Sequence, residues 1–149
     1  MKHVVLDSSP LGLITQPPGV AEADACRKWL VQKQNDGLSI VVPEIIDYEL
    51  RRELLRSNKA SSVRRLDAFI SDPAVTYLPL TTPAMRTASQ LWATTRQEGK
   101  PTADPHALDC DVILCGQILS YGQAADFVVA TSNAKHFARY VVARLWQEI

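Results

Sequence analysis

The segment Val4–Pro10, with the sequence Val-Val-Leu-Asp-Ser-Ser-Pro, decides the fold of this chain. Its three leading apolar residues predict a short buried strand, because branched aliphatic side chains fit a pleated and covered surface. Asp7 ends that strand, and the residues after it predict a turn into a short helix at Leu11–Ile14. Asp7 can cap this helix. Open α/β sheets bind ligands outside the carboxyl ends of their strands, so Asp7 is also expected at a binding rim.

Strand-like and helix-like segments alternate along the rest of the chain. The predicted strands are Leu38–Val42, Val75–Leu80 and Phe127–Ala130. Two helices are predicted at Val20–Asp36 and Glu44–Arg56. Three more are predicted to end at Ile70 after a cap at Ser61 or Ser62, at Glu98 after a cap at Thr82, and at Leu119 after a start at Asp104-Pro105. This alternation predicts a three-layer α/β/α sandwich with a mostly parallel central sheet. The length of 149 residues suits a single domain over residues 1–149.

The charge balance limits how the chain can bind nucleic acid. It has 16 Lys and Arg against 16 Asp and Glu, so a whole-molecule positive field is excluded and RNA binding needs a local basic patch. Six basic residues lie close together and form either a solvated face or such a patch: Arg51, Arg52, Arg56, Lys59, Arg64 and Arg65.

Cysteine usage and hydropathy indicate a cytoplasmic protein. Cys26, Cys110 and Cys115 are odd in number and lack metal-site spacing, so we expect buried free thiols in a reducing compartment. The short apolar start, interrupted at once by an acid, does not match a signal peptide. Nothing approaches the roughly 20 apolar residues of a membrane span, so no membrane contact is expected.

Several acidic residues recur near the ends of predicted elements. Asp111 is expected on the apolar face of its helix, where a carboxylate is costly unless it is paired or binds a cation. Asp109 is either a first-turn charge favoured by the helix dipole or a secondary ligand. Glu49 and Glu53 both lie near the apolar stripe of their helix, and periodicity does not choose between them. Asp104 is best explained as a cap.

The order of four motifs resembles the PIN domain family, over essentially the whole chain. The motifs are Val-Val-Leu-Asp-Ser-Ser-Pro-Leu at residues 4–11, Pro-Glu-Ile-Ile-Asp-Tyr-Glu-Leu-Arg-Arg-Glu at 43–53, Asp-Cys-Asp-Val-Ile-Leu-Cys-Gly-Gln at 109–117 and Val-Ala-Thr-Ser-Asn-Ala-Lys-His-Phe at 129–137. The resemblance implies an α/β/α fold with a parallel sheet. It also implies a VapC-like metal-dependent endoribonuclease, of the kind that serves as the toxin of a bacterial toxin–antitoxin pair.

The resemblance assigns roles to individual positions. Asp7, Glu49 and Asp111 match the family's first three acids, and this match selects Glu49 over Glu53. Asn133 stands where the family usually has a fourth acid, with Thr131 as the threonine of that motif. Asparagine keeps an oxygen ligand and removes a full charge.

The implied cofactor is Mg²⁺ or Mn²⁺, held by the three acids with Asp109 as a further ligand. The residues expected to contact substrate are Thr131, Ser132, Arg52 and Lys135. The implied partners are an RNA substrate, a small antitoxin protein and a second copy of the chain in a homodimer. No zinc pair or Ser/His/Asp arrangement is expected.

Two other functions compete with the nuclease. The first is a catalytically weakened PIN-like module that binds RNA or a protein partner, because Asn133 removes one acid. The second is an aspartate-based phosphotransfer domain. A phosphatase of that kind needs a second acid where Ser9 stands, and a receiver needs adjacent acids after its first strand, so this function is disfavoured.

Overall fold

The computed structural model describes residues 1–100 and 104–149. Within those ranges the strands are β1 (His3–Leu6), β2 (Ser39–Pro43), β3 (Val75–Leu78), β4 (Phe127–Thr131) and β5 (Ala143–Leu145). The helices are α1 (Ser8–Ile14), α2 (Ala21–Asn35), α3 (Glu44–Arg56), α4 (Ala60–Ile70), α5 (Thr82–Gln97) and α6 (Cys110–Tyr121). The strands form one sheet in the order β3-β2-β1-β4-β5, and every neighbouring pair is parallel. The predicted three-layer α/β/α class with a parallel sheet is therefore confirmed.

The central strands are apolar because both faces of the sheet are covered. Val4, Val5 and Leu6 are fully buried in β1, and the inner residues of β2 and β4 are equally inaccessible. Val5 lies beside Val41 on one side and Val129 on the other. A parallel sheet with helices on both faces favours such continuous apolar runs over alternating ones.

The sheet reverses its direction of growth at β1. The chain moves outward through β2 and β3 on one side, then returns to place β4 and β5 on the other. Leu6 pairs with Ala130, and the Asp7 amide donates to the Ala130 carbonyl at 3.0 Å. The carboxyl ends of β1 and β4 therefore meet at a topological switch point, where open α/β sheets form a crevice.

The caps of α5 and α6 differ from the predicted ones. For α5 the cap is Thr81, whose hydroxyl accepts from the Ala84 amide at 3.2 Å, so the predicted cap at Thr82 is wrong by one residue. The predicted start of α6 at Asp104 is also wrong. Asp104 accepts the His106 amide in a separate turn, and Asp109 caps the helix.

Other boundaries differ as well, and α1 begins at Ser8 rather than at the predicted Leu11. Helix α4 begins at Ala60 without a side-chain cap, so the predicted capping by Ser61 or Ser62 is wrong. Their hydroxyls instead accept from Arg64 and Arg65. The chain after β4 adds β5, a short strand that the sequence did not predict.

Close packing of α5 on α6 requires Gly116. A Cβ added there would lie 2.5 Å from the Ala84 carbonyl oxygen, well inside van der Waals contact. The cysteines Cys26, Cys110 and Cys115 are buried and free, as predicted. Among the described residues, no helix combines the length and the apolar character needed to cross a bilayer.

Candidate active site at the carboxyl edge of the sheet

An open pocket of about 380 Å³ lies at the carboxyl edge of the sheet. Its lining residues come from α1, α3, the start of α6 and the turn after β4: Asp7, Ser8, Glu49, Arg52, Leu108, Asp109, Cys110, Asp111 and His136. All four predicted metal ligands and the predicted phosphate contact Arg52 thus share one pocket. The other predicted residues, Thr131, Ser132, Asn133 and Lys135, lie in or just after β4 and do not line it.

Asp7 is held at the switch point by two hydrogen bonds. Its side chain caps α1, with Oδ1 accepting from the Ser8 amide at 2.7 Å. Oδ2 accepts from the Thr131 hydroxyl at 2.6 Å, across the junction of β1 and β4. Burial raises the pKa of Asp7, the nearby Glu49 charge adds to the increase, and the two hydrogen bonds oppose it. The predicted cap and the predicted rim position are thus the same residue.

Glu49 reaches the pocket from the second turn of α3. The Ser8 hydroxyl donates to Glu49 Oε1 at 2.8 Å, which ties α3 to the start of α1. Glu53, one turn further along, is exposed, pairs with Arg56 and does not line the pocket. The structure therefore separates the two glutamates that helical periodicity left equivalent.

Asp111 contacts a histidine that the sequence had not assigned to the site. His136 Nδ1 lies 3.0 Å from Asp111 Oδ2, and His136 Nε2 lies 2.9 Å from the Asn133 side-chain nitrogen. Burial, with a contribution from the Asp7 charge, raises the pKa of Asp111 to about 6, while His136 opposes the increase. Asn133 is therefore connected to the acids through His136.

The remaining predicted residues differ in accessibility. Thr131 is fully buried, and its hydroxyl also accepts from the backbone amide of Asn133 at 3.0 Å. Its contacts therefore hold Asp7 and the turn after β4 in place. Ser132 and Lys135 are exposed, and the Ser132 amide donates to the Ser9 hydroxyl at 3.0 Å. Asp109 accepts from the Val112 amide at 3.2 Å as the cap of α6.

A buried glutamine joins the helices that carry Glu49 and Asp111. Gln117, on α6, is 1% exposed. Its Nε2 donates to the Leu78 carbonyl at 2.8 Å, and its Oε1 accepts from the Ile45 amide at 3.3 Å, near the start of α3. One side chain thereby satisfies an otherwise unpaired amide of a helix start and a carbonyl at a strand end.

Sequence reasoning missed Gln117, Ser8 and His136 as members of this site. A glutamine inside the apolar run of α6 was the available signal for Gln117, since a buried amide needs partners from neighbouring elements. The roles of Ser8 and His136 depend on side-chain contacts between distant segments, which periodicity does not reveal.

The oxygen ligands of the pocket suit a hard divalent cation. The observed side-chain conformations do not yet place those ligands around one ion. Carboxylate oxygens from three segments are the ligands that Mg²⁺ and Mn²⁺ prefer. In the part of the chain that the structure describes, no three His, Cys, Asp or Glu side chains are arranged to hold one metal ion. Asp7, Glu49 and Asp111 instead bond to Thr131, Ser8 and His136 respectively. Shared coordination requires these side chains to turn toward each other.

Comparisons with known proteins identify the fold. No family model and no curated protein matches the chain. Three solved structures match over nearly all of it: VapBC2 from Rickettsia felis bound to a promoter DNA fragment (TM-score 0.69, 14% identity, 97% of this chain and 98% of that one), DNA-bound VapBC from Salmonella typhimurium (0.62, 19%, 98% and 99%) and VapBC-1 from nontypeable Haemophilus influenzae (0.68, 18%, 97% and 98%). At these identities the likeness establishes the architecture. The chain has the PIN-like, VapC-like fold that its motifs predicted.

Proposed function

We propose that this chain is a metal-dependent endoribonuclease. The observation that carries the proposal is the shared pocket of Asp7, Glu49 and Asp111, three carboxylates from distant parts of the sequence at the switch point of the sheet. The raised pKa values of Asp7 and Asp111 mean that their negative charge is poorly compensated by the surrounding protein. A hard divalent cation supplies that compensation, and the oxygen-only set of acids selects Mg²⁺ or Mn²⁺.

The protein's own groups would prepare the site for phosphodiester hydrolysis. Asp7, Glu49 and Asp111 would hold the ion, with Asp109 available at the pocket wall. A bound ion of this kind lowers the pKa of a coordinated water and stabilises charge on the attacked phosphate. Thr131, through its bond to Asp7, fixes the direction of that carboxylate.

Substrate contacts would come from the exposed groups around the pocket. Arg52 lines the pocket and offers guanidinium donors to a flanking phosphate. Ser132 and Lys135 are exposed on the turn after β4 and offer further contacts. Water would attack directly, so no covalent intermediate on the protein is required.

Cleavage of RNA by the purified protein tests the proposal. Mixed single-stranded RNAs are incubated with the wild type and with Asp7→Asn and Asp111→Asn, in Mn²⁺ and then in EDTA. The matched control is Asp126→Asn, because Asp126 precedes β4 at the opposite edge of the sheet and pairs with Lys2. We expect Mn²⁺-dependent cleavage by the wild type and the control alone. Cleavage that survives EDTA and both site variants would overturn the proposal.

A toxin role in the cytoplasm, paired with a small antitoxin protein, is the second part of the proposal. Its support is the similarity to the solved VapBC structures. We expect such a toxin to form a homodimer. Induction in bacteria should arrest growth, and a small protein encoded next to this chain should relieve the arrest. High-level expression of active enzyme without growth arrest would contradict this part and leave the nuclease proposal intact.

A binding module without catalysis is the competing function. It is favoured by the separate hydrogen bonds of the three acids and by Asn133 at the fourth position. A titration of RNA binding with Mn²⁺ separates the two functions. A module should bind RNA equally with and without the ion and leave the RNA intact, whereas the nuclease should cleave it when the ion is added.

A further inference from the structure

The three arginines of α3 differ in how the described residues engage them. Arg51 forms ion pairs with Asp47 at 2.9 Å and with Asp67 at 2.7 Å, and Arg56 pairs with Glu53. Within the described part of the chain, no ion pair engages Arg52. Arg52 is exposed and lines the acidic pocket, so the guanidinium donors that Tyr48 does not engage remain available to an anion brought there.

Arg52 is positioned by an exposed aromatic ring. Its guanidinium carbon lies 5.2 Å from the ring centroid of Tyr48, within the range of a cation–π contact. Tyr48 is 48% exposed and precedes Glu49 directly in the chain. Because residues three and four apart are neighbours on a helix, Arg52 lies next to both of them.

We propose that Tyr48 and Arg52 form a stacking platform for single-stranded RNA at the rim of the acidic pocket. The Tyr48 ring stacks on a base next to the bond to be cleaved, and Arg52 binds the adjoining phosphate. The inference rests on the proposed ribonuclease function and deepens it by assigning a base-stacking role to Tyr48, beside the phosphate contact Arg52.

The chemistry of the pair favours an unpaired strand. A base offers its face to a protein ring only after it leaves its own stack, and single strands provide such bases without the cost of opening a duplex. A net charge of zero gives the chain no general attraction for RNA, so a local cation close to the acids has to guide the strand. Leu108 lines the same pocket with half of its surface exposed and adds an apolar wall.

Binding measured without cleavage tests the platform. The probe is a labelled single-stranded RNA of mixed sequence, followed by fluorescence anisotropy in EDTA, with the same sequence as duplex RNA and as single-stranded DNA. The variants are Tyr48→Leu, Tyr48→Phe and Arg52→Gln. The control is Leu55→Ser, since Leu55 is also an exposed side chain of α3 and does not line the acidic pocket.

The expected results follow from stacking energies for bases on aromatic side chains. Tyr48→Leu should weaken single-strand binding by about tenfold, whereas Tyr48→Phe and the control should bind as the wild type does. Duplex binding should change by less than about twofold in Tyr48→Leu. Arg52→Gln should lower the slope of log affinity against log salt by about one. Where Mn²⁺ supports cleavage, Tyr48→Leu should raise KM and leave kcat nearly unchanged.

Several results would overturn the platform while the nuclease proposal is judged by its own cleavage assay. They are unchanged single-strand binding in Tyr48→Leu, no rescue by Tyr48→Phe, and equal losses on duplex RNA. Absent binding of single-stranded RNA by the wild type has the same meaning. Tighter binding of single-stranded DNA than of RNA would overturn the RNA assignment. A changed oligomeric state in Tyr48→Leu would place Tyr48 in an interface between copies.

Discussion

Asp7 and Asp47 are equally buried carboxylates with opposite surroundings. Each is 8% exposed. Asp47 accepts from the guanidinium of Arg51 at 2.9 Å and from the Tyr77 hydroxyl at 2.9 Å. Asp7 accepts from a hydroxyl and an amide, burial raises its pKa, and the charge of Glu49 adds to the increase. The charge of Asp47 is compensated by a guanidinium inside the protein, whereas the charge of Asp7 is compensated only in part.

This contrast separates an acid with a structural role from an acid that we propose to bind the ion. Burial, together with the carboxylate of Asp47, raises the pKa of Tyr77, so the phenol keeps its proton and remains a donor. That network joins α3 to β3, and through Arg51 it reaches Asp67 on α4. Burial alone therefore does not indicate a site. A buried charge that the protein compensates poorly is a better indication of a site. Such a charge costs free energy, and a bound ligand of opposite charge can offset that cost.

The largest expected effect is the loss of cleavage in Asp7→Asn. We expect a decrease in kcat/KM of about 1000-fold, or about 4 kcal/mol, because the ion would lose a ligand that is charged and fixed in direction. The free energy of unfolding in EDTA should stay the same or rise, since the amide removes a poorly compensated charge. Cleavage assays and urea denaturation measure the two quantities. A large loss of stability would show that Asp7 is compensated as Asp47 is.

The opposite pattern is expected for Asp47→Asn. The amide leaves Arg51 with one carboxylate partner, and the free energy of unfolding should fall by about 2 kcal/mol. This value is below that of a fully buried pair because the Arg51 side chain is 28% exposed. Mn²⁺-dependent cleavage should persist below the melting temperature. Loss of cleavage in a folded Asp47→Asn would mean that the network determines the position of Glu49.

The acidic pocket should make the protein less stable as the pH rises. The pKa of Asp111 is about 6 in the folded protein against 3.8 in the unfolded chain, so the folded state binds more protons between these values. This contribution to stability is complete below the unfolded pKa and is lost as the pH rises through about 6. We expect a decrease of about 1 kcal/mol, reduced by solvent screening of a carboxylate that is 27% exposed.

Urea denaturation in EDTA between these pH values checks the slope. Asp111→Asn should reduce the slope, with Asp7 supplying what remains, and Asp126→Asn should leave it unchanged. Saturating Mn²⁺ should stabilise the wild type more at neutral pH than at pH 5, because the ion binds the ionised carboxylates. An unchanged slope in Asp111→Asn would contradict the weak compensation inferred for the pocket.

The sequence predicted those elements whose signals are local and continuous. The buried runs of β1, β2 and β4 and the stripe of α3 needed no tertiary information. The start of α6 did, because Asp104 and Asp109 are both acceptable caps by residue type, and the structure uses Asp109 while Asp104 closes a separate turn. The predicted β3 continued to Leu80, whereas pairing with β2 ends at Leu78. Strand β5 exists because β4 offers it an edge, and its three residues have no apolar pattern.

The sequence could predict which acids belong to the candidate site. It could not predict their neighbours or their relative positions. Asp7 could be placed at a strand end, but the neighbour that binds it, Thr131, depends on the strand order. No local pattern places β4 beside β1. The contact of His136 with Asp111 depends on the turn after β4 reaching the start of α6. The resemblance to PIN domains selected Glu49, which lines the pocket, whereas Glu53 does not.

The smallest expected effect tests the departure at Asn133. Asn133→Asp adds a carboxylate that reaches Asp111 through His136, and both ring nitrogens of His136 would then face acids. The added negative charge leaves the pocket with more charge for a cation to neutralise. It should therefore raise the affinity for Mn²⁺ by a few-fold, or about 1 kcal/mol. Calorimetric titration of the wild type and the variant measures it, and Asn58→Asp, on an exposed turn remote from the pocket lining, is the control. Equal affinities would mean that His136 keeps the fourth position out of reach of the ion. The uncompensated region would then be limited to Asp7, Glu49 and Asp111, because a charge added outside it would no longer reach a cation bound within it.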